Sequence, residues 1–213
     1  GFTPVGPAGD FTQLTGGTSH AWDDAVPAPF PAPLHYSTPV IGAPWAGTNK
    51  QALIDQSRTD LGLAYIFLTA QTLPAPAAIP GGDPTELGGK TLYRGIYVSA
   101  VPVKIQQGDL TLDGQGDPNS VWIFQLGSTL TTGAPGGNVI LTNGAQAKNV
   151  FWAVAGAGTA GTTIASTAGT HFYGNVLSWK QINITNGVII TGKLFSVTAQ
   201  VTLIGDTVTN AAP

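Results

Sequence analysis

Between Gln181 and Thr209 apolar residues alternate with Thr, Asn and Ser, in short runs parted by Asn-Gly, Thr-Gly and Gly-Asp. A period of two predicts strands with one buried and one solvent face. In "TLTT" the phase puts Leu130 inward and Thr129 and Thr131 outward; in "TTIA" it puts Ile164 inward and Thr163 and Ala165 outward. In "INIT" Ile182 and Ile184 point in and Asn183 and Thr185 out; in "VTLI" Val201 and Leu203 point in and Thr202 and Ile204 out. A second set, "VWIFQL" and "NVFWAV", is apolar on both sides, so both of its faces must be covered.

The cover is predicted over 48–71, "TNKQALIDQSRTDLGLAYIFLTAQ". Ile54, Ser57, Leu61, Ala64 and Leu68 recur at spacings of three and four, which makes one stripe on a helix. Lys50, Asp55, Arg58 and Asp60 fall mostly elsewhere, Thr48 with Gln51 fits a capping box, and "LPAP" stops the helix. Residues 1–47 carry a Pro-rich run, "AVPAPFPAPLHYSTPVIGAP", that cannot form a regular central strand.

From Gly88 onward short strands and Gly-rich turns follow one another. "GIYVSA", "VWIFQL", "NVFWAV", "GNVLSW" and "GKLFSV" are alike, with irregular spacings and other strand-like pieces between them. About three short strands per turn of the chain is what a β-solenoid needs, since each coil buries its apolar side only against its neighbours. A β-sandwich of antiparallel hairpins fits the same strands.

Composition narrows the function classes. With 213 residues the chain is expected to be one domain. Charged residues make up 9%, against about 25% in an average globular protein. The net charge is -3 with no basic run, which excludes counterion-release binding to nucleic acid. No apolar stretch is long enough to span a bilayer. There is no cysteine, hence no thiolate or disulfide chemistry. The first residue is Gly1, which fits a processed or a trimmed chain.

The chain offers few residues arranged for chemistry. His20, His35 and His171 have no metal-ligand spacing, and His171, beside inward Phe172, is expected to face solvent. Asp113 and Asp117 in "LDGQGDPNS" lack the further carboxylates of a calcium loop and read as a structural turn. Neither "GGTSH" nor "GSTLTTG" is a nucleophile elbow, and no phosphate-cradling glycine motif occurs. Glycosidic cleavage needs paired carboxylates. From Pro118 on the only acid is Asp206, and the only bases besides His171 are Lys148, Lys180 and Lys193. Asp23, Asp24, Asp83 and Glu86 are scattered. No catalytic residue, metal or cofactor is expected.

"LGGKTLYRGIY", "LTLDGQGDPNSVWIFQLGSTLTT", "VILTNGAQAKNVFWAV", "FYGNVLS" and "GKLFSVTAQVTLIGDTVT" resemble the ice-binding-protein-like family of cold-adapted bacteria, fungi and algae. The resemblance runs from about Leu87 to Thr209, and the helix falls where that family has one; the segment from about Phe11 to Tyr36 departs from it. It implies a mostly β fold: a discontinuous, right-handed, three-faced β-solenoid with one long α-helix along one face. It also implies a secreted or cell-surface protein whose partner is ice and which slows ice growth and recrystallisation. The layout expected is one domain over 1–213, with a divergent segment 1–47, the helix 48–71 and coils 88–209. A monomer is expected, with self-association as the other state.

Ice presents a repeating array of water, so its receptor should be flat, weakly polar and periodic. Stacked strands set equivalent residues about 4.7–4.9 Å apart and alternate residues about 6.6–6.8 Å apart. Threonine suits such a grid because β-branching limits its rotamers. The expected ice face is Thr129, Thr131, Thr163, Asn183, Thr185 and Thr202, with Thr185 at its middle between Thr163 and Thr202. The alternative face carries Ile140, Thr142, His171, Tyr173, Ile189 and Thr191, whose bulk would roughen a plane. Two other functions compete: an adhesive or filament-forming solenoid, and a carbohydrate-binding module with Trp152 or Trp179 as its platform.

Overall fold

A computed structural model describes residues 51–79, 84–165, 167–185 and 187–211. The helix α1 spans Gln51–Thr69, and every extended ladder that follows is parallel. Parallel pairing removes the sandwich of hairpins and leaves the solenoid.

Three sheets form its faces. The seven-stranded sheet runs β1 (Ala77–Ala78), β4 (Gly95–Ser99), β7 (Trp122–Leu126), β10 (Val150–Val154), β12 (His171–Ser178), β14 (Ile189–Ser196) and β16 (Thr207–Thr209). The six-stranded sheet runs β2 (Thr85–Glu86), β5 (Val103–Ile105), β8 (Leu130–Thr132), β11 (Ala160–Ala165), β13 (Gln181–Thr185) and β15 (Val201–Ile204). The third face begins with β3 (Thr91–Tyr93), β6 (Leu110–Asp113) and β9 (Val139–Thr142). The first halves of β12 and β14, with β16, form a second ladder on that side, pairing His171, Ile189 and Thr207. No strand ladder joins β9 to β12. The Asn138 side-chain oxygen instead accepts from the His171 N–H at 2.8 Å, while Asn138 donates to Asp109 Oδ1 from its backbone and side chain.

The five similar sequence segments become β4, β7, β10, β12 and β14, which are successive neighbours in one sheet. Their inward row stacks Tyr97 on Phe124 at 5.5 Å and Phe124 on Trp152 at 3.9 Å between ring centroids. Buried indoles need an acceptor. Trp122 donates to the Leu92 carbonyl at 3.2 Å and Trp152 to the Tyr173 carbonyl at 3.1 Å. Gly174 bends β12 from the third face onto the seven-stranded sheet with φ +122°, and a Cβ there would lie 2.7 Å from the Trp152 nitrogen.

The outward side of its middle strands β7, β10 and β12 is covered by α1, while Val98 on β4 and Phe195 on β14 stay exposed. Leu61, Tyr65 and Leu68 pack on Ile123, Phe151, Ala153 and Leu177, as the doubly apolar strands require. The expected stripe needs correction. Ser57 and Ala64 are exposed and Tyr65 takes the contact, because Tyr65, one turn after Leu61, reaches Trp179 with ring centroids 5.2 Å apart. Ile54 and the Thr48 cap lie outside the residues whose side chains are described, as do Lys50 and Asp55, and the segment 1–47 is likewise outside. The far side of the helix leaves Leu63, Ile66 and Phe67 exposed. Strand structure also starts earlier than Gly88, at Ala77 and Thr85.

Candidate functional site

The six-stranded sheet is uncovered by the helix, and alternation decides what it shows. Its inward rows are Val103, Leu130, Thr162, Ile182 and Val201, then Ile105, Thr132, Ile164, Ile184 and Leu203. Its long outward row is Glu86, Lys104, Thr131, Thr163, Asn183 and Thr202, each paired with the next across a parallel strand. Beside it Ala165, Thr185 and Ile204 form a second row.

The inside-outside phase read from the sequence is therefore the observed one, but the register across coils is not. Thr185 does not stand between Thr163 and Thr202; its partners are Ala165 and Ile204, and the residue between Thr163 and Thr202 is Asn183. Thr129 precedes β8, where its carbonyl accepts from the Val103 N–H. Thr202 keeps its outward register yet is only 8% exposed, so it offers little surface. The absence of charge also needs correction. The row is uncharged from β8 to β15 but continues into Lys104 and Glu86 at its other end. Sequence reasoning missed them because β2 and β5 are two and three residues long, too short to show a period.

The side chains of Thr131, Thr163, Asn183 and Thr185 are half-buried and, among the described residues, have no internal hydrogen-bond partner. Their hydroxyls and amide are left to water, at the strand spacing of a parallel sheet, about 4.8 Å.

The third face differs. Its outward positions include Ile140 and Thr142 on β9, His171 and Tyr173 on β12, and Ile189 and Thr191 on β14. Here much of the polar capacity is spent internally. Thr142 donates to the Leu112 carbonyl, Thr191 and Thr209 share a hydrogen bond at 3.3 Å, and Asp113 accepts from Gln115 N–H and the Asn143 amide. His171 is exposed and its ring lies against Tyr173, with centroids 6.1 Å apart.

Other candidates resolve into structure. Asp117 pairs with Arg94 at 2.8 Å and accepts from the Asn119 N–H, so the Asp113–Asp117 loop is a braced turn. Among the described residues no group of three or more His, Asp or Glu side chains could hold a metal ion. Trp152 is fully buried, and Trp179 is half-buried against Tyr65, so neither forms an exposed aromatic platform. No helix among the described residues is long and apolar enough to cross a membrane.

A stacked parallel solenoid with one helix-covered sheet and one hydroxyl-bearing sheet that no described helix covers defines the class of protein. The family model described as ice-binding-like matches residues 1–209, and the chain belongs to that family. It is 49% identical over 211 residues to Ice-binding protein 1 of Shewanella frigidimarina, covering 99% of this chain and 21% of that protein. It is 41% identical over 159 residues to an ice-binding protein of Nostoc sp., covering 73% of this chain and 53% of that protein. The solved DUF3494 domain of the Shewanella protein superposes with a TM-score of 0.75 at 47% identity, covering 100% of this chain and 81% of that one. The ice-binding protein of the ascomycete Antarctomyces psychrotrophicus superposes with a TM-score of 0.61 at 38% identity, covering 75% of this chain and 72% of that one. The chain thus spans about one fifth and one half of the length of these two curated relatives.

Proposed function

We propose that this chain is a secreted ice-binding domain that adsorbs to crystals through the outward side of its six-stranded sheet and slows their growth. The observation that carries the reading is the row Thr131, Thr163 and Asn183, in register on successive strands with none of its polar groups committed to another described residue. Thr185 adds a polar group in the next row. Such a row can hold an ordered water layer at fixed spacing. The half-buried, β-branched threonines lose little further freedom when that layer freezes onto the crystal. The helix-covered sheet cannot serve, and the third face has much of its polar capacity spent. The reading assigns no catalytic step to the chain and makes its partner ice rather than a nucleic acid or a metal.

The test uses the lack of cysteine. Ala64→Cys on the exposed side of α1 takes a fluorophore away from the sheet. On slow freezing, the labelled chain should enter the ice, and the same chain carrying Thr163→Tyr should stay in the liquid. Exclusion of both chains from ice would remove the reading and leave the adhesive module.

A further inference from the structure

The outward row of the six-stranded sheet has a chemical break at one step. On the Thr131 side of that step lie Thr131, Thr163 and Asn183; on the other lies Lys104, in direct register with Thr131, and then Glu86. The two charged residues are not equivalent. The Glu86 carboxylate is folded down onto the main chain, where Oε1 accepts from the N–H groups of Gly88 at 2.6 Å and Gln106 at 2.9 Å. Lys104 is half exposed and makes no ion pair with any described residue. The adjacent row is interrupted at the same strand. The Gln106 side chain lies beside Gly133, the residue just past β8, where an added Cβ would lie 2.9 Å from Gln106 Nε2.

We infer that Lys104 is the residue that ends the contact surface, confining it to the four strands β8, β11, β13 and β15. An ammonium on a flexible four-carbon stem holds a strong, disordered hydration shell. Placed one strand from Thr131, about 4.8 Å away, it competes for the water that Thr131 would order. A residue of the size and branching of threonine at 104 would extend the array to β5. The inference rests on the reading of this sheet as the ice-contact surface and adds where that surface stops and why.

The experiment compares Lys104→Thr, Lys104→Met and Thr163→Tyr with the parent chain, measuring melting temperature and the freezing-point gap at equal concentration. Lys104→Thr should keep the melting temperature and widen the gap by about 1.25-fold or more, the ratio of five equally spaced strands to four. Lys104→Met, which removes the charge but keeps a long mobile stem, should gain less. A Lys104→Thr chain that folds but shows an unchanged or narrower gap, while Thr163→Tyr abolishes it, overturns the inference and leaves the site assignment standing. If Thr163→Tyr is also without effect, the site assignment itself has failed.

Discussion

The side-chain amide of Gln125 on β7 donates to the main-chain carbonyl of Leu68 at 2.9 Å, and to that of Gln71 at 2.8 Å. A polar residue on the helix-facing side of the sheet thus supplies donors to main-chain carbonyls at the end of α1. Gln125→Leu should destabilise the fold by about 1–3 kcal/mol, because the Gln71 carbonyl would lose this donor and the Leu68 carbonyl would keep only the long contact from the Gln71 N–H at 3.5 Å. Thermal melting checks this, and ice-growth arrest by the folded variant should be unchanged.

The helix contact itself is carried by few residues. Leu68 is buried between α1 and the seven-stranded sheet, whereas Leu61 is only half-buried. Leu68→Ala should cost about 2–5 kcal/mol and Leu61→Ala clearly less. Equal losses of melting temperature in the two variants would argue against this docking.

Inside the solenoid the hydroxyls of Thr132 and Thr162 are buried and have no hydrogen-bond partner among the described residues. Replacing each by the isosteric Val should raise stability by about 1 kcal/mol, since a desolvated, unpaired hydroxyl is removed without loss of volume. Chemical denaturation of Thr132→Val and Thr162→Val, singly and together, would show the gain. A loss would mean that the hydroxyls are satisfied in solution.

Burial pushes the Asp206 carboxyl above the usual carboxylate range, against the N–H groups of Ile204 and Val188, which donate to it and pull the other way. An acid whose folded value is raised binds its proton more tightly when folded. Its contribution favours the fold below its unfolded pKa and is lost as pH rises through the folded value. The melting temperature of the parent chain relative to Asp206→Asn should therefore fall as pH is raised from the acid side of that window. A difference that stays constant with pH would contradict this direction.

What the sequence made legible follows from range. Period two within a strand is local, so the outward position of Thr131, Thr163 and Asn183 could be read from neighbouring residues. The match between an apolar helix stripe and doubly apolar strands was also visible, with Phe151 at the contact, although Tyr65 rather than Ala64 completes it. Register between coils is not local. The turns between strands differ in length: Asn175 and Lys193 are partners across one coil, and Phe151 and Asn175 across a longer one. No fixed repeat could therefore show that Thr163 faces Asn183 and not Thr185. The charged end of the row was hidden for a different reason. "TE" and "VKI" become strands because the ladder of the next coil pairs with them, a tertiary cause that leaves no pattern in so few residues.

The site assignment requires that the six-stranded sheet meets ice and that the third face does not. Thr163→Tyr and Thr191→Tyr place the same ring on outward positions of the two faces; Thr163→Tyr should alter stability by no more than about 0.5 kcal/mol, and Thr191→Tyr, which loses the hydrogen bond to Thr209, by no more than about 1.5 kcal/mol. The direct measurement is the freezing-point gap of both variants alongside their melting temperatures. Thr163→Tyr should then abolish the gap and Thr191→Tyr keep it, with both chains folded. A full gap in Thr163→Tyr together with its loss in Thr191→Tyr would contradict the assignment and move the contact to the third face.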